Sequence, residues 1–172
     1  LCNLGTNKPT RSNFESLVFS VISQQLATAA ADTITARFIK EVGAVSPSKV
    51  LKADPESLRA TGLSGAKLKT ILGLAENAKK IDLEQIAELS DEEIYKVLTS
   101  LWGIGPWTVD MFMMFQLGKL NVWPVGDLGV RRGWEKIHKL KEEITPAALM
   151  KKGEKFHPYR SVVAWYCWRA VD

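Results

Sequence analysis

Asp127 is the carboxylate whose position in the sequence most clearly suggests chemistry. It follows Pro124 and Gly126 and stands directly before a predicted helix. Aspartate is a preferred N-cap residue, and a structural cap is the simpler of two interpretations. In the other, the positive end of the helix dipole favours the charged carboxylate, which stabilises positive charge that develops on a substrate. The residue alone leaves both interpretations open.

Two glycines and a proline separate two stretches of helical pattern in the middle of the chain. Gly103 and Gly105 permit a tight reversal, and Pro106 suits the first position of the next helix, which we expect to run to about Leu117, before Gly118. The pattern predicts a hairpin with backbone N–H groups at its tip, which is an anion site. Because the net charge is +4, we expect a DNA phosphate there, although an ordinary turn between helices has the same pattern.

Two adjacent amides, Gln24 and Gln25, interrupt the apolar periodicity of one predicted helix just before the next begins at Thr28. A polar junction between two helices accounts for them without any further role. The alternative is that one amide enters the base stack when a DNA duplex is opened.

Aromatic residues are the third group of candidates. Core packing accounts for most of the six tryptophans. Trp107 differs because it lies in the first turn after the glycine hairpin, and Trp165 and Trp168 share one face of a helix. An aromatic wall near a carboxylate would suit a flat, electron-poor ring. The other three are Trp102, Trp123 and Trp134.

Composition and the remaining reactive residues exclude several classes of protein. With 46% hydrophobic residues, the 172-residue chain can bury a substantial core. Cys2 and Cys167 are too few for a disulfide framework or a four-thiolate iron–sulfur or zinc site. His138 and His157 lack partners at metal-ligand spacing. We find no signal peptide, membrane-spanning run, Ser-His-Asp arrangement, Walker loop or dinucleotide fingerprint.

Helix starts recur along the chain whereas strand alternation does not, which predicts an all-α fold of about ten helices. Ser12 and Ser90 begin capping-box patterns, and a helix is expected over 28–42, before Gly43. Other predicted starts are at Ser46, Asp54, Ser64, Asp82, Thr145 and His157.

Five segments together resemble the helix-hairpin-helix DNA glycosylases, in particular the alkylation-repair branch, 3-methyladenine DNA glycosylase II. They span nearly the whole chain in the order of that family. The segments are Ile22-Ser23-Gln24-Gln25-Leu26, Gly62-Leu63-Ser64-x-x-Lys67, Leu101-Trp102-Gly103-Ile104-Gly105-Pro106-Trp107-Thr108, Pro124-Val125-Gly126-Asp127-Leu128, and Pro158-Tyr159-Arg160-Ser161 with Trp165-Tyr166-x-Trp168.

The resemblance implies a role for each candidate residue. Asp127 matches the catalytic aspartate of the family, and Gln25 matches the residue that fills the gap left by a flipped base. Trp107 and Trp168 match aromatic positions of the base pocket. The backbone amides of the hairpin, at Gly103, Ile104, Gly105 and Trp107, are expected to hold a DNA phosphate. A monovalent cation, Na⁺ or K⁺, is expected on the hairpin carbonyls, with no metal held by side chains.

The sequence lacks two features of related glycosylases, and their absence limits which reactions the resemblance implies. Glycosylases that also cut the strand carry a hairpin lysine where this chain has Trp107, and the iron–sulfur branch carries four C-terminal cysteines that this chain lacks. The resemblance therefore implies a monofunctional hydrolase of alkylated purines without an iron–sulfur cluster. Some members of the branch also have an N-terminal β-rich domain, which has no counterpart in the sequence, so we expect the compact form.

The resemblance also predicts organisation and setting. We expect one glycosylase domain over 1–172, with a helical lobe at about 28–117 and a second lobe from 1–27 plus 118–172. The two lobes would grip double-stranded DNA that contains a damaged base. The protein is expected to be a monomer without a membrane partner. It would work inside the cell, in the cytoplasm and nucleoid of a prokaryote or the nucleus of a eukaryote.

Two other functions are weighed against this one. A glycosylase of the same fold could act on deaminated or mismatched bases, since the pocket does not follow from the sequence. A helix-hairpin-helix module that only binds DNA would need the hairpin but neither Asp127 nor the aromatic pair. The presence of all three features favours the enzyme.

Overall fold

The computed structural model describes residue 2, residues 4–6 and residues 9–172, and residues 1, 3, 7 and 8 of the expected second lobe lie outside this description. The described residues form ten α-helices and no strand, which confirms the all-α prediction. The helices are α1 (Asn13–Ser23), α2 (Thr28–Val42), α3 (Pro47–Lys52), α4 (Pro55–Ala60), α5 (Gly65–Asn77), α6 (Asp91–Thr99), α7 (Pro106–Met111), α8 (Leu128–His138), α9 (Pro146–Gly153) and α10 (Arg160–Val171).

Capping side chains begin most of these helices, as the sequence predicts. Ser90 and Glu93 form a complete capping box at the start of α6. At α1 only the Ser12 half of the predicted box is present, and its hydroxyl accepts the Glu15 N–H. The distant Glu84 carboxylate accepts the N–H groups of Asn13 and Phe14 at 3.0 and 3.1 Å. Capping side chains are also present at Ser46, Asp54, Ser64 and Thr145.

The predicted cap at Asp82 is wrong. Asp82 adopts a left-handed φ of 47° and its side chain makes no capping hydrogen bond. An N-cap side chain reaches the first turn from extended backbone, so this conformation does not support a capped α-helix. A 3-10 helix, Leu83–Glu88, follows instead.

Contacts divide the chain into two compact units. The first, which we call the hairpin unit, is Thr10–Val109, and the second, which we call the aspartate unit, is Leu1–Pro9 together with Asp110–Asp172. The first boundary lies before α1 and not at the expected residue 28, because α1 contacts α2 and α5. The second lies between Val109 and Asp110 and not at the expected residue 117. The correspondence of these units to the two lobes of the resembled family stays a prediction.

In the hairpin unit, α1 is the central helix. It contacts α2, α5 and the 3-10 helix. Its apolar periodicity buries one continuous face, because the spacing of these residues returns to the same side every turn. Phe14, Leu17 and Ile22 are almost fully buried. This core supports the two loops that carry the candidate DNA contacts of the unit.

In the aspartate unit, α8 packs closely against α10. A Cβ atom on Gly133 of α8 would lie 1.9 Å from the carbonyl oxygen of Cys167 in α10, so only glycine permits this approach.

The predicted helix over 106–117 changes type, since α7 gives way to a π-helical stretch, Phe112–Gln116. Gly118, with φ of 67°, ends it as predicted. Within the part of the chain that the structure describes, none of the helices combines the length and the apolar character that a membrane span requires.

Candidate active site and nucleic-acid interface

Asp127 is the N-cap of α8, and its side chain also contacts α10. Its Oδ1 atom accepts the Val130 N–H at 2.8 Å and the indole Nε1–H of Trp168 at 2.8 Å. The cap predicted from the sequence is therefore present, and the carboxylate is fixed by a second donor besides. The structure thus brings together two of the predicted site residues, Asp127 and Trp168.

Gly129 allows Trp168 to lie against the start of α8. A Cβ atom at this position would stand 2.7 Å from Trp168 Cδ1 and 3.1 Å from Asp127 Oδ1. Both distances are shorter than ordinary carbon contacts, so any larger residue would displace the indole or the carboxylate. The sequence Asp127-Leu128-Gly129 therefore encodes both the cap and the space for its indole partner.

Phe115 extends the aromatic surface beside Trp168. The two rings lie 5.9 Å apart at an interplanar angle of 30°. Phe115 stands on the π-helical stretch and is 56% exposed, which is unusual for a phenylalanine. Single π-helical turns occur frequently at functional sites. Trp165, in contrast, packs edge-on against Tyr166.

Asp110 is a second carboxylate of the aspartate unit, and it is buried. Burial, and to a lesser extent the negative charge of Asp127, raise the pKa of Asp110 to about 7. Asp110 is therefore neutral below that pH, while its electrostatic interaction with Asp127 grows above it. Carboxyl groups whose pKa is strongly raised by burial and a neighbouring charge are common at active sites.

We expect Asp110→Asn to change how stability depends on pH. Because the folded protein holds the Asp110 proton up to about pH 7, wild-type stability should fall as the pH rises from about 4 to about 7, then level off. The asparagine variant should lose that part of the slope and should be more stable at pH 8. Urea unfolding at several pH values measures both effects, and parallel curves for the two proteins would contradict this assignment.

The glycine hairpin forms as predicted, and its two glycines differ in backbone conformation and in the space around them. Gly103 adopts a φ of 80°, and a Cβ atom there would lie 2.0 Å from Thr70 Oγ1. Gly105 has no heavy atom within 4 Å of its Cβ position. Ile104 is buried and donates its N–H to the Leu101 carbonyl at 3.1 Å, so it supports the turn itself.

The tip of this hairpin is open to solvent and leads into the first turn of α7. Trp107 is 43% exposed there. The first N–H groups of a helix have no partner within the helix, and together with the dipole they favour an anion. The backbone near Gly105 is therefore accessible from solvent, and a phosphate contact at this tip stays a prediction.

Gly105→Val should test this surface better than any change at Gly103. A valine at Gly105 meets no atom of the fold, whereas at Gly103 it would strain the backbone and collide with Thr70. We expect the folded Gly105→Val variant to bind DNA less tightly, by a similar factor for all sequences, since the contact is with backbone. Fluorescence anisotropy with two unrelated duplexes measures this, and unchanged affinity would remove the hairpin from the DNA interface.

The two adjacent glutamines have different environments. Gln24 donates its side-chain N–H groups to Thr108 Oγ1 at 3.0 Å and to the Gly103 carbonyl at 3.4 Å. Gln25 is exposed and has a left-handed φ of 56°. Of the two amides, Gln25 is therefore the one presented to solvent, as its predicted role requires, and Gln24 joins this loop to the hairpin.

Known proteins resemble most of this chain in sequence and in fold. The family model of the HhH-GPD superfamily base excision DNA repair proteins matches residues 18–158. The chain belongs to this superfamily. The HhH-GPD match includes the loop with Gln24 and Gln25, the hairpin and the whole of α8, and it therefore covers Gln25, Trp107 and Asp127.

Individual HhH-GPD relatives are similar over almost all of the chain. DNA-3-methyladenine glycosylase 1 of Schizosaccharomyces pombe is 36% identical over 177 residues, which is 96% of this chain and 78% of the relative. A crystal structure of a DNA-3-methyladenine glycosidase from Bacillus halodurans has a TM-score of 0.86 at 34% identity, over 95% of this chain and 78% of that one. The S. pombe 3-methyladenine DNA glycosylase in complex with abasic DNA has a TM-score of 0.82 at 32% identity, covering 95% and 82%.

Sequence reasoning missed three residues, of which the structure adds two to the candidate site of the aspartate unit and one to that of the hairpin unit. Asp110 stands inside an apolar run and resembles an ordinary polar position of a helix. Phe115 is brought beside Trp168 by the π-helical stretch, which no sequence signal announces. Lys67 belongs to one motif of the resemblance, but that motif does not indicate the contact of its side chain with the carbonyl oxygens of Ile22 and Gln24.

Proposed function

We propose that this protein is a monofunctional DNA glycosylase that hydrolyses the N-glycosidic bond of alkylated purines. The observation that carries the proposal is the fixed position of the Asp127 carboxylate, held on Oδ1 by Val130 and Trp168 at the start of α8. The superfamily is one of base excision repair proteins. Relatives named as 3-methyladenine glycosylases support alkylated purines as the class of substrate.

The chemistry needs little acid catalysis. Alkylation of a ring nitrogen makes the purine cationic, so it leaves with the electron pair of the glycosidic bond as a neutral base. The sugar passes through a transition state that resembles an oxocarbenium ion. Water adds to C1′ and releases a proton, and the products are the free base and an abasic site.

Asp127 would stabilise the positive sugar electrostatically. A preorganised charge in a fixed position needs no rearrangement when the reaction occurs. The N-terminus of α8 stabilises the negative charge between substrate encounters. The indole of Trp168 fixes the orientation of the carboxylate, in the way that a second partner orients a catalytic group in many active sites.

Accessible aromatic faces would favour a cationic base over a neutral one. The half-buried ring of Trp168 and the exposed ring of Phe115 lie side by side in the aspartate unit, and Trp107 is exposed in the hairpin unit. A cation over an aromatic face is attracted by the ring quadrupole, and the attraction grows when water is excluded. This gives a physical reason for preferring alkylated purines to intact ones.

The monofunctional assignment rests on Trp107. An indole cannot attack C1′ to form the covalent imine from which strand cleavage proceeds, whereas a lysine amine can. We also propose double-stranded DNA as the partner and a monomer as the working form. A monovalent cation on the hairpin carbonyls and the absence of an iron–sulfur cluster remain predictions from the resemblance.

Oligonucleotide duplexes with one defined lesion test this function. We expect the protein to convert a duplex containing an alkylated purine into an abasic product, whose strand breaks only after alkali is added. Matched duplexes that carry uracil or no lesion serve as controls. Strand breaks without alkali would contradict the monofunctional mechanism, and preferential release of uracil would favour the glycosylase for deaminated bases.

A further inference from the structure

Lys67 holds the loop that carries Gln25. Its ammonium group, from the first turn of α5, donates hydrogen bonds to the carbonyl oxygens of Ile22 at 2.7 Å and Gln24 at 2.8 Å. These two acceptors lie more than forty residues away in sequence, at the C-terminal end of α1. Hydrogen bonds from a charged donor are stronger than those between neutral groups.

The loop needs such a donor because α1 stops abruptly. The last turn of α1 contains no basic residue. The chain then reverses in a turn in which the Leu26 N–H donates a hydrogen bond to the Ser23 carbonyl oxygen. Carbonyls at a helix end need partners from outside, and a cation is favoured there. The ammonium group of Lys67 is both a hydrogen-bond donor from outside the helix and a cation at its C-terminal end. In the first turn of α5 a cation opposes the helix dipole, so α5 alone does not favour a lysine here.

Gln25 has a backbone conformation that other contacts must maintain. A left-handed φ of 56° is unfavourable for a residue with a side chain. Lys67 fixes the carbonyl just before it, and the Gln24 amide joins the loop to Gly103 and Thr108 of the hairpin. The exposed Gln25 side chain therefore stands on a backbone held from two sides.

We propose that Lys67 is a positioning residue for the opening of the DNA duplex, which acts by holding Gln25 ready to fill the gap left by the displaced base. The inference rests on the proposed function. Lys67 itself contacts neither the base nor the sugar in this account. Its effect is entropic, since a loop that is already ordered loses less freedom when it enters the base stack.

The test compares excision of one lesion in two settings with Lys67→Met, Gln25→Ala and the double variant. The substrates are 7-methylguanine, which carries the positive charge of an alkylated ring nitrogen, in a fully paired duplex and the same lesion in an unpaired bulge. We expect Lys67→Met and Gln25→Ala each to lose about tenfold on the paired duplex and little on the bulge, where unstacking costs less. The double variant should lose no more than Gln25→Ala alone, because both changes remove the same function.

Two further variants serve as controls. Lys79→Met removes an exposed lysine just beyond α5, and it should leave the ratio between the two substrates unchanged. Gln24→Leu removes the other tether of the loop and should reproduce the pattern of Lys67→Met, which keeps the test valid if Lys67→Met does not fold. Equal losses on both substrates, or additive losses in the double variant, would overturn the proposal.

A second readout separates this proposal from the proposed function. The fluorescence of 2-aminopurine placed beside the lesion rises when the duplex is unstacked, whether or not a base is released. If the wild-type protein releases no 7-methylguanine, the proposed function fails for this lesion, and the fluorescence still tests Lys67. A wild-type fluorescence rise that Lys67→Met leaves intact would overturn the inference.

Discussion

Asp127→Asn should reduce base excision by about two to three orders of magnitude while leaving the fold and DNA binding intact. Asparagine has nearly the same shape, and its side-chain oxygen can still accept the N–H of Val130 as a helix cap. It carries no negative charge, so it cannot stabilise a positively charged sugar in the transition state. Single-turnover excision from a paired duplex measures the loss without interference from product release.

Asp54→Asn is the matched control for this substitution. Asp54 is the N-cap of α4, and its carboxylate accepts the Ser57 N–H at 2.8 Å, so it reports what the same change costs at a purely structural cap. We expect both variants to lose a similar small amount of stability and only Asp127→Asn to lose activity. Wild-type excision by Asp127→Asn would mean that Asp127 is a cap and nothing more.

Gly133→Ala should destabilise the aspartate unit by on the order of 3 kcal/mol. The added methyl group would stand 1.9 Å from the Cys167 carbonyl oxygen and 2.7 Å from its Cα atom. Both are backbone atoms of α10, so no side chain can rotate away, and the two helices must separate. Because Asp127 caps α8 and Trp168 lies on α10, their hydrogen bond should be lost along with the packing.

Gly73→Ala gives the comparison for this prediction. Gly73 lies inside α5, and nothing stands within 4 Å of its Cβ position. Alanine there should stabilise the protein by about 0.5–1 kcal/mol, because glycine is a poor helix former. Urea denaturation of both variants separates the helix propensity of alanine from the close contact. A Gly133→Ala variant as stable as wild type would show that α8 and α10 do not approach as described.

Much of this fold follows from local sequence signals. Capping side chains mark helix starts at Ser12, Ser90 and Asp127 because each places an oxygen where the first turn needs an acceptor. The hairpin follows from its glycines, since φ of 80° at Gly103 excludes most other residues. These features depend on neighbours within a few residues, and the sequence displays those neighbours directly.

The rest of the site depends on contacts that are distant in sequence. The indole of Trp168 meets Asp127 across 41 residues, and Lys67 meets the Gln24 carbonyl across 43. No periodicity encodes such a meeting, because it arises from helix packing. The raised pKa of Asp110 is equally non-local, since it comes from burial and from the charge of Asp127.

The most direct test of the central claim is the chromatographic identification of bases released from methylated double-stranded DNA by the wild-type protein, with Asp127→Asn run beside it. We predict that the wild-type protein releases free methylated purines and leaves the strands intact until alkali is added, and that Asp127→Asn releases almost none. Release of no methylated purine by a folded wild-type protein that binds DNA would contradict the account.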